Sequence, residues 1–227
     1  LIVEGDSVKS VSGHLGNAAK FPDGNNSTYK NYLGNTMSES PITDYPATFT
    51  AWVKVPSAIA DLQSIVMLDN SGVASGLGMP LWKNDGKLTA WTRDHQDQTF
   101  TISDFVITDG KWHFISIVYP NASEVVFYCD TNKAVSGHSS TFEDFVDRFN
   151  GVSIGRYSKG SSNEYHVEEG TIDEVAVWNQ ALDSAQLMEI YHNGISLPDV
   201  TTPTGLQGDF TYSTVNLSWN PSSSNDG

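Results

Sequence analysis

The sequence predicts an all-β protein, a sandwich of two antiparallel sheets with one short helix near its C-terminal side. Short apolar segments recur along the chain and are separated by polar turns rich in Gly, Asn, Asp and Ser. Several segments alternate apolar and polar side chains, as strands do when one face meets a core. The clearest helical pattern is short and follows residue 182.

The predicted strands follow one another in chain order. Leu1–Ser10 is a possible edge strand, and Gly16–Phe21 begins the sandwich. Phe49–Val55 alternates cleanly, because its odd positions are apolar and Thr50 and Lys54 lie between them. The further strands are Ile65–Asp69, Gly76–Lys83, Lys87–Asp94, Phe100–Ile107, Trp112–Tyr119, Val125–Asp130, Val152–Tyr157 and Thr171–Trp178. Ser139–Asn150 is less regular and is compatible with a helical turn around Phe142–Phe149.

The helix has a recognisable start and end. Asp183 is the expected N-cap, and Gln186 three residues later completes a capping box. Gly194 stands where helices usually stop. The predicted apolar face consists of Leu187, Ile190 and Tyr191.

Four stretches, in this order, resemble the laminin-G-like domains of the concanavalin A-like family: SGHLGNAAKFPDG, FTAWVKV, DGKWHFISIVY and TIDEVAVWNQAL. The resemblance covers roughly residues 10 to 195 and implies a jelly-roll sandwich. It also implies a structural calcium held by Asp173, with Asp23 and Asn25 as neighbouring ligands. The alternative is that Asp173 only hydrogen-bonds the adjoining turn. Pro22 departs from the family pattern and leaves the register of Asp23 open.

The domain organisation changes after the helix. Residues 1–196 form the predicted sandwich, and 197–203 form a linker with two prolines. Residues 204–227 resemble the first strands of a fibronectin type III domain, with Trp219 at a family position. Such modules accompany secreted bacterial polysaccharide-degrading enzymes and adhesins, and the chain is expected to be part of a longer protein of that kind.

Composition limits the partners. With 12 basic and 27 acidic residues, the formal net charge is −15, which argues against nucleic acid and anionic membranes as partners. No apolar run reaches the roughly 20 residues of a membrane span. Cys129 is the single cysteine, so an intrachain disulfide is impossible, and we expect a small buried residue. These features favour a secreted or cell-surface bacterial protein.

Catalysis is not favoured by the acidic residues. Retaining glycoside hydrolysis needs two carboxylates about 5–5.5 Å apart on one face. Glu168–Glu169 and Asp173–Glu174 are adjacent pairs, whose members point to opposite faces of a strand. We therefore assign no catalytic residue. A polysaccharide-cleaving enzyme of the same fold remains an alternative.

The hairpin around Asp85-Gly86 predicts a ligand-binding face. With a two-residue loop, Trp82 pairs with Thr89, Pro80 with Trp91, and Gly78 with Arg93. Two tryptophans and an arginine would then share one face over small residues, which suits stacking on sugar rings. The full set of candidate ligand-binding residues is Trp82, Trp91, Arg93, His95, Tyr157 and Tyr165. The alternative is that these aromatic residues only pack in the interior.

The sequence thus favours a non-catalytic carbohydrate-binding or surface-adhesion module. Its expected partner is a polysaccharide or other glycan, with surface proteins as a second possibility. A protein-interaction module that uses the same face without sugar is the first alternative function.

Overall fold

Two seven-stranded antiparallel sheets face each other in the computed structural model, as the sequence predicts. The structure describes residues 2–4, 8–22, 32–36, 40, 42–59, 61–70, 75–94, 97–140, 145, 149–157, 165–195, 207–210 and 215–218. The chain forms two compact units, Leu1–Gly194 and Ile195–Gly227.

The strands described in the first unit are, in chain order, β1 (Ile2–Glu4), β2 (Lys9–Ser12), β3 (Asn17–Lys20), β4 (Tyr32–Thr36), β5 (Ala47–Lys54), β6 (Gln63–Asp69), β7 (Gly76–Leu81), β8 (Lys87–Asp94), β9 (Asp97–Val106), β10 (Trp112–Asn121), β11 (Glu124–Cys129), β12 (Asn132–Gly137), β13 (Gly151–Ile154), β14 (Arg156–Tyr157), β15 (Tyr165–His166) and β16 (Thr171–Trp178). The helix α1 spans Ser184–Asn193.

The first sheet has the strand order β1-β4-β13-β6-β7-β8-β9, and the second has the order β12-β11-β10-β5-β16-β3-β2. Strands β14 and β15 form a separate two-stranded ribbon. Alternate residues of both sheets point inward and form one buried apolar core, which includes Phe49, Val53 and Ile117 of the second sheet and Leu68 and Met79 of the first. The core therefore lies between the two sheets.

The helix forms as its capping signals predict. The Asp183 carboxylate accepts the backbone N–H groups of Ala185 and Gln186 at 2.8 and 2.9 Å, and the Gln186 side chain accepts the Asp183 N–H. Leu187 and Ile190 are buried. Tyr191 stacks on Trp52 of β5, with 5.2 Å between ring centroids. The helix thus covers the outer face of the second sheet.

The hairpin between β7 and β8 differs from the predicted one. The observed pairs are Gly76 with Arg93, Gly78 with Trp91, and Leu81 with Leu88, a shift of two residues. The connection has four residues, because Trp82 N–H donates to the Lys87 carbonyl. Positive φ occurs at Asn84 and Gly86, whereas the predicted two-residue turn would need it at both residues 85 and 86.

The longer loop is anchored from outside the hairpin. The Asn84 N–H donates to the Ile59 carbonyl at 2.7 Å, a contact that the two-residue turn would not make. A shift of two residues conserves which side chains share a face, because side chains alternate with a period of two. Trp91 and Arg93 therefore still lie on the face opposite the core.

The predicted strand Val152–Tyr157 is divided into β13 and β14. Gly155 separates them with φ of +80°, and the Phe21 ring lies where a side chain at this position would be. The predicted helical turn around Phe142–Phe149 falls largely outside the described residues.

In the second unit, Gln207–Phe210 (β17) pairs antiparallel with Val215–Ser218 (β18). Trp219 lies outside the described residues. Within the described part of the chain, no helix has the length and hydrophobicity needed to cross a bilayer.

Candidate functional site

A row of side chains crosses the outer face of the first sheet. Register places Met67 opposite Gly78, Gly78 opposite Trp91, and Trp91 opposite Phe100, so these residues of β6 to β9 share one face. Met67, Trp91 and Tyr157 form a buried cluster separate from the main core, with Phe100 packed against it. We call Met67, Trp91, Phe100 and Tyr157 the aromatic layer.

The rings of the aromatic layer hold one another in place. Trp91 stacks parallel to Phe100, with 5.6 Å between centroids and 3° between planes. Tyr157 meets Trp91 edge to face at 4.5 Å. Gly78 makes this packing possible, because a Cβ there would lie 2.7 Å from the Met67 sulfur and 2.2 Å from the Val66 carbonyl oxygen. The layer is consequently a packed, pre-formed surface rather than a set of separate rings.

A shallow groove lies beside this layer, at the end of β7. It is lined by Asp61, Leu62, Trp82, Lys83, Gln98 and Phe100 and encloses about 150 Å³. We call it the Trp82 groove. Trp82 and Phe100 meet edge to face at 5.2 Å, and both rings are half-buried. The Lys83 ammonium lies 5.7 Å from the centre of the Trp82 ring.

The Trp82 groove combines two kinds of chemistry. The exposed parts of two aromatic rings offer an apolar surface, and a carboxylate, an amide and an ammonium group stand around it. Ligand sites in proteins commonly combine aromatic walls with a few polar groups that fix orientation. The groove could therefore accept a ligand with one apolar face and several hydroxyl groups.

Polar groups occupy the neighbouring row of the same face. Gly76 lies opposite both Asp69 and Arg93, and Arg93 lies opposite Gln98. Asp69 accepts the Ser153 hydroxyl at 2.7 Å. Burial raises the pKa of Asp69, an effect that the Ser153 hydrogen bond and the Arg156 charge oppose. Arg93 is 4% exposed, so it contributes charge to this face without projecting freely from it.

The predicted ligand-binding residues have different positions in the structure. Trp82 lines the groove, whereas Trp91 and Tyr157 are fully buried in the layer behind it. Trp91 therefore does not project into an open groove, because Phe100 and Tyr157 cover it. The backbone of Tyr165 pairs with Tyr157, and its side chain lies outside the described residues, as does His95.

Five residues of the groove were not predicted from the sequence: Asp61, Leu62, Lys83, Gln98 and Phe100. The Phe100 position follows from the pairing of β8 with β9, which is irregular between Lys87 and Thr89. Alternation in β9 places Phe100 and Gln98 on one face, but it does not say which residue of β8 they meet. The sequence pattern could therefore have shown that Gln98 and Phe100 share a face, but not which residues of β8 lie beside them.

Asp173 occupies a structural position in β16, which lies between β5 and β3 in the second sheet. Its two carboxylate oxygens accept the backbone N–H groups of Leu15 and Glu174 at 3.0 and 2.9 Å, and the residue is 7% exposed. Calcium requires six to eight oxygen ligands. The described residues supply this one carboxylate, already engaged with amides, and do not by themselves fit a calcium ion. Asp23 and Asn25 lie outside the described residues.

Comparison with known proteins agrees with the observed topology. Residues 23–188 match the family model described as the concanavalin A-like lectin/glucanases superfamily. No curated protein matches the chain.

Several solved structures share the fold at low sequence identity. Domain 4 of AbnA, an extracellular arabinanase of Geobacillus stearothermophilus solved with arabinotriose, has a TM-score of 0.61 at 16% identity, and the match covers 82% of each chain. A pentraxin from Limulus polyphemus has a TM-score of 0.59 at 18% identity, covering 78% of this chain and 82% of the pentraxin. Botulinum neurotoxin type C, whose cell entry depends on interaction with two ganglioside molecules, has a TM-score of 0.58 at 11% identity. That match covers 88% of this chain and 47% of the toxin chain. At these identities the likeness establishes the fold alone.

Proposed function

This chain belongs to the concanavalin A-like lectin/glucanase superfamily, and from that membership we propose that its sandwich is a non-catalytic carbohydrate-binding module. The observation that carries the proposal is the Trp82 groove, where two half-buried rings stand among an amide, a carboxylate and an ammonium group. Two proteins of the same fold, the arabinanase domain and the type C toxin, are associated in their own right with sugar ligands.

Binding in the groove would depend on stacking and hydrogen bonds. The apolar face of a sugar ring would lie against Trp82. The side chains of Gln98 and Asp61 would form hydrogen bonds with the sugar hydroxyl groups. Lys83 beside the ring would add a donor, so neutral or locally acidic glycans suit the groove better than cationic ones. No bond is broken in such a mechanism.

The aromatic layer would support this binding without touching the ligand. Trp91 and Tyr157 are fully buried and pack against Phe100, which forms one wall of the groove. A wall fixed before the ligand arrives loses little conformational freedom on binding. In this proposal the predicted residues Trp91 and Tyr157 act as support, and Arg93 supplies positive charge at the adjacent row.

The test is a glycan array followed by affinity measurements on Trp82→Ala. We expect binding to weaken by up to about tenfold, because a lost aromatic contact is worth up to about 1.5 kcal/mol. Trp112→Ala is the matched control, since Trp112 is equally half-buried but lies in the other sheet. It should bind as the unaltered protein does.

Three results would contradict the proposal. Silence of the folded protein on all glycans, together with capture of a surface protein, would favour the protein-interaction alternative. Equal binding by Trp82→Ala and the unaltered protein would remove the groove as the site. Release of reducing ends from a polysaccharide would establish the enzyme alternative.

We further propose a setting for the module, as part of a larger secreted bacterial protein that acts at polysaccharides or cell surfaces. The fibronectin-like sequence of residues 204–227 and the acidic composition support this setting. Calcium held by Asp173, Asp23 and Asn25 would steady loops rather than take part in chemistry. Probing the array with calcium and again after chelation separates a calcium-dependent module from one that binds sugar without the ion.

A further inference from the structure

Four side chains with metal-binding atoms converge where β10 begins and β11 ends, away from the Trp82 groove. His113 Nδ1 lies 2.8 Å from Asp130 Oδ2, and His113 Nε2 lies 3.1 Å from Asp109 Oδ1. Cys129 Sγ lies 4.0 Å from both His113 Nδ1 and Asp130 Oδ2. We call these four residues the His113 cluster.

Strand pairing brings the cluster together. Cys129 lies opposite Ile115, and His113 is two residues from Ile115 on the same strand, so both side chains point to one face. Asp130 follows the strand with φ of +53°, a conformation that Asp tolerates better than most residues. Its Oδ1 accepts the Phe114 N–H at 2.9 Å, which leaves Oδ2 facing the imidazole.

The imidazole stands between two carboxylates. A neutral histidine carries one N–H, so it can donate to Asp130 or to Asp109 but not to both. Both contacts are satisfied only when His113 carries a second proton or when a cation replaces the proton at Nδ1. Although burial lowers the pKa of His113, hydrogen bonds and charges from Asp130 and Asp109 outweigh burial, and its pKa is raised overall.

We propose that His113 Nδ1, Cys129 Sγ and Asp130 Oδ2 bind a zinc ion, and that Asp109 positions the imidazole through Nε2. Zinc accepts nitrogen, sulfur and oxygen ligands together, whereas calcium and magnesium require oxygen alone. Ligand atoms around a tetrahedral zinc are about 3.3–3.6 Å apart, so the observed distances need shifts of about half an ångström. The carboxylate on the far nitrogen is the usual partner of a metal-bound histidine.

The remaining position of a tetrahedral ion would be open to water. The Asp130 side chain is 30% exposed and that of His113 16% exposed, so solvent reaches this side of the cluster. The thiolate and the Asp130 carboxylate together carry two negative charges and would balance Zn²⁺. Asp109 stays outside the coordination sphere and keeps the imidazole in place.

Binding would release protons in a defined number. Zinc displaces the thiol proton of Cys129 and, from a doubly protonated His113, the Nδ1 proton, so up to two protons leave for each ion bound. Because a cysteine ligand binds zinc as the thiolate, zinc affinity should increase with pH.

The experiment titrates the complete chain, freed of metal and kept reduced, with zinc alone in a calorimeter. Two buffers of different ionisation enthalpy report the number of protons released. We expect one ion per chain and proton release, and one equivalent of cobalt should give the absorption of a thiolate-to-metal charge transfer. A hundredfold excess of calcium should not displace the zinc.

The variants separate a metal site from a hydrogen-bonded cluster. Cys129→Ser should abolish the charge-transfer band and weaken zinc binding strongly. Asp109→Asn should leave the band in place and weaken binding by about 10- to 100-fold. His192→Gln is the matched control, because His192 is exposed in the last turn of α1 and lies outside the cluster.

Two outcomes would overturn the zinc proposal. One is a zinc titration of Cys129→Ser that matches the unaltered protein, and the other is a cobalt complex without thiolate absorption. Thermal unfolding of each metal-free variant checks that it folds. If Cys129→Ser does not fold, Asp109→Asn remains the test. Asp109 is exposed and contacts only Lys111 and His113 among the interactions described, so a purely structural role would leave zinc affinity unchanged.

Discussion

Removing one hydroxyl group, in Tyr119→Phe, should test how the two sheets are connected. Tyr119 belongs to β10 of the second sheet and is fully buried, yet its hydroxyl reaches the first sheet. It accepts the Trp91 N–H at 3.0 Å and donates to the Gly78 carbonyl at 2.7 Å. Gly78 and Trp91 lie opposite each other in β7 and β8, so the hydroxyl bridges two adjacent strands.

The expected loss of stability follows from these two contacts. Phenylalanine leaves both backbone groups without the hydroxyl, in a region that water does not reach. A buried polar group that loses its partner costs about 1–3 kcal/mol, so with two such groups we expect Tyr119→Phe to lose about 2–6 kcal/mol. Burial also raises the pKa of Tyr119 well above its usual value, so the hydroxyl stays neutral over the working pH range.

The measurement is urea unfolding followed by tryptophan fluorescence and circular dichroism. Tyr128→Phe is the control, because the Tyr128 hydroxyl contacts only the Ser184 hydroxyl, at 3.0 Å, among the hydrogen bonds described. It should lose about 0.5–1 kcal/mol, the value of an ordinary hydrogen bond. Equal losses in the two variants would refute the bridging role of Tyr119.

Two further predictions concern single positions of the sandwich. Gly155→Ala should cost more than about 2 kcal/mol, because φ is +80° and the new Cβ would lie 2.1 Å from the Phe21 ring, whereas Gly137→Ala, with open space around it, should be nearly neutral in the same unfolding assay. Burial lowers the pKa of His138 to about 4, from an ordinary value near 6.5. Between these two pH values His138 is protonated in the unfolded chain but stays neutral in the folded chain. The free energy of unfolding should therefore fall as the pH drops from about 6.5 to 4, by up to about 3 kcal/mol. The free energy of unfolding of His138→Gln should lack that part of the pH dependence. If the stability curves of His138→Gln and the unaltered protein run parallel across this pH range, His138 is not the cause of the pH dependence.

Local signals explain which elements could be predicted. The bounds of β16 follow from its own alternation, and the start of α1 follows from Asp183 and Gln186, which contact each other within four residues. Strand β12 was not predicted. It is an edge strand whose residues are exposed or half-buried, so its sequence lacks the apolar positions that mark a buried face. Elements are thus predictable when their stabilising contacts are near in sequence.

Register depends on contacts that are distant in sequence. The four-residue loop of the hairpin is set partly by the bond from Asn84 to Ile59, 25 positions away, which no local pattern encodes. A register shift of two residues does not change the face to which each side chain points. The shared face of Trp91 and Arg93 was therefore predicted correctly, although their partners on β7 were not. Alternation along a strand does not determine how deeply a side chain is buried. Whether Trp91 is exposed or covered depends on Tyr157, which belongs to another strand.

Because Trp91 is buried, it supports the proposed ligand-binding groove and does not contact the ligand. A flat sheet offers few places for a ring to lie against solvent, because neighbouring side chains stand about as tall as the ring. Here Gly78 opposite Trp91 leaves room for Met67, and Trp91 carries Phe100 against its face. Trp82, at the end of β7, then meets the edge of Phe100 rather than a mobile neighbour. Because a ring supported in this way loses little freedom when a ligand binds, the affinity of the Trp82 groove should depend on residues that the ligand never touches.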